Sequence, residues 1–200
     1  MHTYIARTFT IGALEGISQK QIDVHLGLYQ GYVKHVNLLR EQIKDLTDTD
    51  PEKYAFAIES TRRRLGFEFN GMRMHEFYFP QLEGFKTPEP RGSALDVALS
   101  EKYGSWDACM MHFKKVALSR GPGWAVLSWD VAGNTPHVSW TSDHELGTLA
   151  DVHVLYAVDM WEHAFMVDYV PAEKAKHLDA YMRNTNWSVV EKRFEEVTRT

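Results

Sequence analysis

Two helical periods follow each other with only a short polar break before Pro80, and this pairing is what most constrains the fold. Ser18 is a candidate N-cap, with Gln21 at the capping-box position three residues on. From there apolar residues recur at Ile22, Leu26, Tyr29, Val33, Val36 and Leu39, spacings of three and four that mark one helical face. The pattern runs to about Leu46 and stops in the polar stretch 47–51. A second period begins near Pro51, passes through Tyr54, Phe56 and Ile58, and reaches about Phe79, where Pro80 closes it. Gly66 and Gly71 interrupt it, which predicts a bend or a close backbone approach. The first half of the chain is therefore expected to be an antiparallel helical hairpin.

Residues 84–93, GFKTPEPRGS, hold two prolines and two glycines and form the best candidate boundary. It divides the chain into an N-terminal unit, 1–86, and a C-terminal unit, 93–200. In the second unit, 94–103 and 106–119 read as helices separated by a glycine turn. Residues 124–131 and 137–140 read as strands joined by the hairpin signal Ala-Gly-Asn-Thr, and 152–158, rich in valine, as a third strand. Stretches 161–169, 172–182 and 188–197 read as helical. The expected class is α+β: the hairpin, then a C-terminal α/β domain with a small three-stranded antiparallel sheet. A chain of 200 residues buries on the order of 70% of its unfolded surface, enough for a core without staples.

Lysine and arginine total 22 against 27 acidic residues, a net charge of −5, so nothing electrostatic points to nucleic acid or an anionic membrane as partner. The single cysteine, Cys109, excludes an intramolecular disulfide framework and a thiolate zinc site, and reads as core. No stretch approaches ~18 apolar residues and the first turns lack a signal-peptide run, so the expected compartment is the cytoplasm.

What departs from the ordinary is ten histidines among nine tyrosines, ten phenylalanines and six tryptophans. Asp159 and His163 stand four apart at the end of a strand, opening an expected helix, and can project to one side. That spacing suits a metal-ligand pair and a structural pair equally. His25 lies one step from the apolar stripe of the first helix; His75 follows Met72 and Met74 and precedes Phe77, Tyr78 and Phe79. Each alone fits a satisfied core histidine. A buried neutral imidazole is also an excellent ligand, and imidazole with carboxylate suits iron, manganese or zinc. Together the four residues would make a mononuclear site of three histidines and one aspartate, with room for solvent. Elsewhere Arg62, Arg63 and Arg64 read as a solvated helix face, and His35 as helix surface. His112, His137, His153 and His177 fit no ligand position.

The stretch DMWEHAF at 159–165 resembles the D-x-W-E-H-A signature of the iron/manganese superoxide dismutase family. HLGLYQGYVKHVN at 25–37 is similar to the family's first-ligand helix, and MHEFYF at 74–79 to its second-ligand segment. GSWDACMMHFKKVALSRGPGWAVL at 104–127 is similar to its central helix and first strand, and the pair Asn186-Trp187 also fits. These matches are collinear and cover about residues 17–194. The resemblance implies His25, His75, Asp159 and His163 as ligands of one iron or manganese per subunit, with water or hydroxide as the fifth. It implies superoxide as substrate, converted to dioxygen and hydrogen peroxide by redox cycling of the metal. It also implies His144, fifteen residues before Asp159, as a donor toward the bound solvent, with Gly71 making room for it. Tyr32 matches the gateway tyrosine, and Trp124 and Trp161 an aromatic cage. Glu162 matches the residue that bridges to His163 of the partner subunit, so a homodimer or a dimer of dimers is expected. Ala157 stands where the family varies with metal preference, and tolerance for both metals is expected.

This chain departs from the pattern in several places. It is one residue shorter between His25 and Tyr32, yet seven residues at about 100° fall within about 20° of two full turns, keeping both on one face. Tyr29 and Met166 stand where the family has a histidine and a tyrosine that pair across the dimer. Met74 replaces a common asparagine and Val126 a common tryptophan. Two alternatives stand beside the dismutase: a redox-silent metal hydrolase using the same four ligands to deliver hydroxide, and a non-catalytic relative serving as a binding or structural protein. A hydrolase would work with zinc, a structural relative with no metal, and a dismutase with neither.

Overall fold

The computed structural model describes residues 2–199. The first helix, α1 (Gln19–Thr49), starts where Ser18 Oγ accepts the Gln21 N–H at 3.1 Å. Gln21 does not complete the expected capping box, because its amide turns away to a loop far along the chain. The stripe read from periodicity is the buried one: Ile22, His25, Tyr29, Val33 and Val36 face inward. The second helix, α2 (Ala55–Tyr78), starts later than the sequence pattern suggests. Asp50 intervenes, its carboxylate accepting the Lys53 N–H at 3.0 Å and its carbonyl the Tyr54 N–H, so residues 51–54 form turns. α2 then runs unbroken through both glycines. Gly66 meets no crowding, whereas Gly71 is the close approach. Pro80 lies in a single 3₁₀ turn, Phe79–Leu82, that ends the hairpin.

After an irregular stretch come α3 (Ala94–Tyr103) and α4 (Trp106–Ala117), each capped by a serine hydroxyl, Ser93 and Ser105. The chain turns between them at Gly104, whose φ of +91° suits glycine. Three antiparallel strands follow: β1 (Trp124–Asp130), β2 (Thr135–Thr141) and β3 (Val152–Asp159), in spatial order β2-β1-β3. The β1–β3 register pairs Trp124 with Asp159, so the first residue of one strand sits opposite the last of the other. This places an indole and a carboxylate together at one end of the sheet.

The helix expected over 161–169 does not form. Only Glu162–Ala164 makes a 3₁₀ turn, followed by further turns. Gln21 is the physical reason. In a helix the His163 carbonyl would accept the Val167 N–H; instead Gln21 Nε2 donates to His163 O at 2.8 Å and Gln21 Oε1 accepts Val167 N at 3.0 Å. One side-chain amide thus takes both groups that would have closed the turn. The chain ends with α5 (Lys174–Arg183) and α6 (Trp187–Thr198). Trp129 meets Phe194 edge-on at 5.0 Å, and Trp106 meets Trp187 at 5.2 Å, fixing α6 and α4 to the core. Cys109 is fully buried there, as expected, and burial pushes its thiol up to about 12. Among the described residues no helix is long and apolar enough to cross a membrane.

Candidate metal centre

Four side chains from four places in the chain converge between the hairpin and the sheet. His25 comes from the buried face of α1, His75 from the last turn of α2, Asp159 from the end of β3 and His163 from the 3₁₀ turn beyond it. Their ligand atoms all lie within 4.8 Å of one another. Asp159 Oδ2 is 3.1 Å from His25 Nε2, 3.1 Å from His163 Nε2 and 3.6 Å from His75 Nε2. Ligands each about 2 Å from one shared ion have separations of this size.

The surroundings aim these atoms. Asp159 Oδ1 accepts the Trp161 N–H at 2.8 Å, which leaves Oδ2 facing the three imidazoles. His75 Nδ1 donates to the Gly71 carbonyl at 2.6 Å, so its neutral ring presents the Nε2 lone pair inward. That Nε2 is buried and has no hydrogen-bond partner among the described residues. Buried polar atoms are rarely left so, and a metal ion would satisfy this one. Burial lowers His25 and His75, keeping both neutral and fit to coordinate. Burial alone would raise Asp159, but His163 and His25 outweigh it and hold the carboxyl well below its usual range. Burial likewise lowers His163, yet the Asp159 charge prevails and raises it. The donor set therefore fits one divalent or trivalent cation of the first transition row.

A second cluster stands beside the first. His144, completely buried, sits in a loop where both it and Asp143 have positive φ, +61° and +50°. Asn70 Nδ2 holds the His144 carbonyl at 2.7 Å. Trp124 Nε1 donates to His144 Nδ1 at 3.1 Å, and Tyr32 Oη lies 3.1 Å from His144 Nε2. An indole nitrogen only donates, so neutral His144 carries its proton on Nε2 and gives that hydrogen bond to Tyr32 Oη. Burial pushes His144 down to about 4, which keeps it in this neutral form. The Tyr32 hydroxyl hydrogen is then free to point elsewhere. A β-carbon on Gly71 would stand 2.6 Å from Tyr32 Cδ1, so only glycine admits the ring. Trp161 stacks on His144 at 5.2 Å and Phe67 meets it edge-on at 4.8 Å. Tyr29 is engaged elsewhere: its hydroxyl donates to Glu76 and accepts the Arg7 N–H.

Several contributors escaped the sequence reading. Phe67 lies eight residues before His75 on the same helix, a spacing that marks the shared face. Gln81, a lone amide in the apolar run Phe79–Leu82, clamps β3 at Ala157. It donates to Ala157 O at 2.7 Å and accepts Ala157 N at 3.0 Å, two residues before Asp159. His177 is fully buried beside Phe165 and Tyr169, outside the cluster. Arg62, Arg63 and Arg64 are exposed, and Arg64 also pairs with buried Glu68. Glu162 is exposed beside His163.

Fold and site together define an α+β protein with a cluster that could hold one metal ion, its side chains drawn from a helical hairpin and from the end of a three-stranded sheet. Residues 90–193 match the family described as iron/manganese superoxide dismutases, C-terminal domain. The chain is 34% identical to the iron superoxide dismutase of Aquifex aeolicus, over 93% of this chain and 88% of that protein. It is 30% identical to the iron superoxide dismutase of Saccharolobus solfataricus, over 94% of this chain and 90% of that protein. The manganese superoxide dismutase of Corynebacterium diphtheriae is 32% identical over 71% of each chain. The chain belongs to the iron/manganese superoxide dismutase family.

Proposed function

We infer that this protein is a superoxide dismutase working with one iron or manganese per subunit, held by His25, His75, Asp159 and His163. The observation that carries this is the convergence of three imidazole Nε2 atoms on the single oxygen Asp159 Oδ2. Held by His25, His75, Asp159 and His163, an iron or manganese would supply one-electron chemistry between +2 and +3, by which one superoxide would be oxidised to dioxygen and a second, with two protons, reduced to hydrogen peroxide. Asp159 sets one negative charge against three neutral imidazoles, which leaves both oxidation states accessible and the centre attractive to a small anion. Tyr32 holds a hydroxyl proton beside the centre, oriented by the His144 hydrogen bond, and is the gateway residue in this reading. Trp124, Trp161 and Phe67 wall the approach and keep it dry and narrow. Gly71 makes the room in which Tyr32 and His144 meet. Ala157, clamped by Gln81, sets where the end of β3 places Asp159, and we assign it no preference between the two metals.

Units 1–86 and 93–200 act in this reading as two domains sharing the ion. Two subunits pair, with Glu162 reaching His163 of the partner subunit. Neither the hydrolase nor the non-catalytic reading is favoured, since dismutases cover most of the chain in every comparison above. The test is superoxide dismutation by protein loaded separately with iron, manganese and zinc, with bound metal quantified. Iron and manganese forms should both turn over, within about a hundredfold of each other, and the zinc form should not. About one iron or manganese per chain with no turnover would overturn the reading.

A further inference from the structure

A run of aromatic rings leads away from the four-residue cluster. The His25 imidazole lies 4.8 Å from the ring of Tyr78, at the end of α2, and Tyr78 stacks on Tyr181 of α5 at 4.6 Å. Tyr181 is 6.2 Å from Tyr156 of β3, and Tyr156 is 4.8 Å from Trp187 of α6, which meets Trp106 at 5.2 Å. Every step falls in the contact range of paired aromatic rings. The rings beyond His25 are all buried, and Trp187, 2% exposed, forms part of the wall of an open cleft of about 750 Å³. None of the four candidate ligands lines that cleft.

Packing alone would be served by phenylalanine, yet the middle of the run is built from phenols whose hydroxyls are engaged. Tyr181 Oη donates to the Tyr78 carbonyl at 3.0 Å and accepts Gln81 Nε2 at 2.6 Å, and Tyr156 Oη lies 3.1 Å from Thr185 Oγ1. Tyrosine and tryptophan lose a single electron far more readily than phenylalanine, and a phenol does so as its proton shifts toward a hydrogen-bond partner. An electron, unlike a ligand, needs no open path to the ring it leaves. Trp161 and Trp124 also stand beside the centre, 5.6 Å from His163 and 5.1 Å from His75. They are the rings that an oxidising equivalent with no exit would damage.

We propose that this run carries a one-electron vacancy from the metal centre to Trp187 when hydrogen peroxide reacts at the centre, sparing the walls of the site. It rests on the dismutase reading for the peroxide, which is that reaction's product. Peroxide takes two electrons and two protons to become two waters. One electron comes from a divalent ion held by the four ligands, which becomes trivalent, and one from Tyr78. Tyr78 gives its hydroxyl proton as well, and solvent gives the second proton. Tyr78 then recovers an electron and a proton from Tyr181, Tyr181 from Tyr156, and Tyr156 from Trp187, so the phenols end unchanged. Trp187 is left short of one electron and its indole proton, and a soluble one-electron donor such as ascorbate restores both. The test treats reduced iron-loaded protein with equimolar hydrogen peroxide, without ascorbate, and maps oxidised residues by peptide mass spectrometry. Trp187 and Trp106 should be oxidised in the iron form and not in the zinc form. Tyr156→Phe and Tyr181→Phe keep the rings but remove the phenols. Each should return Trp187 and Trp106 to the zinc background and raise oxidation at Trp124 and Trp161. Tyr103→Phe, a tyrosine off the run, should behave as the parent. Intact Trp187 in the parent, or Trp187 oxidised equally in both interrupting variants, would overturn the relay. Superoxide dismutation is measured on the same preparations: its absence would overturn the dismutase reading, whereas the peroxide arm needs only bound iron and reports on the relay alone.

Discussion

Gly71 shows how much one hydrogen atom decides at the residue scale. The Tyr32 ring lies where a β-carbon would be, 2.6 and 2.7 Å from two ring carbons. Gly71→Ala would ordinarily strengthen a helix by about 1 kcal/mol. Here the overpacking costs about 1–3 kcal/mol, which outweighs that gain. The variant should unfold at lower denaturant, and turnover should fall at least about tenfold as Tyr32 is driven off His144. A variant more stable than the parent with unchanged turnover would remove both Gly71 and Tyr32 from the proposed machinery. The partners in this contact were legible in sequence through the family pattern. Phe67 and Gln81 were not, because neither carries chemistry of its own: one offers a ring edge, the other an amide whose partner is main chain 76 residues away. Long-range contacts of that kind leave no local period.

At the scale of elements, periodicity found every long helix and all three strands, and failed where a side chain overrides the local pattern. The stretch 161–169 has helical spacing, yet its turn is held open by Gln21 from the start of α1. The same contact fixes the backbone of His163 to the helix that carries His25, so one amide sets two of the proposed ligands. Gln21→Met keeps the length and removes both bonds, leaving a carbonyl and an N–H to find new partners. Stability should fall by about 1–3 kcal/mol. The variant should also lose its metal to a chelator faster than the parent. Parent-like retention of metal would show that the Gln21 amide shapes the 163–167 turn without holding the site. The late start of α2 has the same kind of origin, since the Asp50 carboxylate competes for the N–H groups of the turn.

For the whole molecule, the four candidate ligands come from three stretches far apart in sequence, at residues 25, 75 and 159–163, and their chemistry was readable only as residue types in apolar settings. Their convergence on one oxygen is a property of the assembled hairpin and sheet, and the resemblance, not periodicity, anticipated it. The dimer proposed above has a candidate surface. Exposed Met166, Val167 and Val170 lie beside Glu162 and the partly exposed His163, an apolar patch carrying one carboxylate. In the proposed dimer, Tyr29 and Met166 stand where the resemblance implies a histidine–tyrosine pair across the contact, so Glu162 would carry more of its polar specificity. Truncating one partner of a buried charged hydrogen bond costs about 2–5 kcal/mol, or at least about thirtyfold in dimer dissociation. Sedimentation velocity at micromolar concentration should therefore show a dimer for the parent and a shift toward monomer for Glu162→Ala. Glu162→Gln, which can still donate and accept, should shift less. A parent that sediments as monomer would show that loss of the tyrosine–histidine pair has dissolved the dimer, and a dimer indifferent to Glu162→Ala would place the contact on another face.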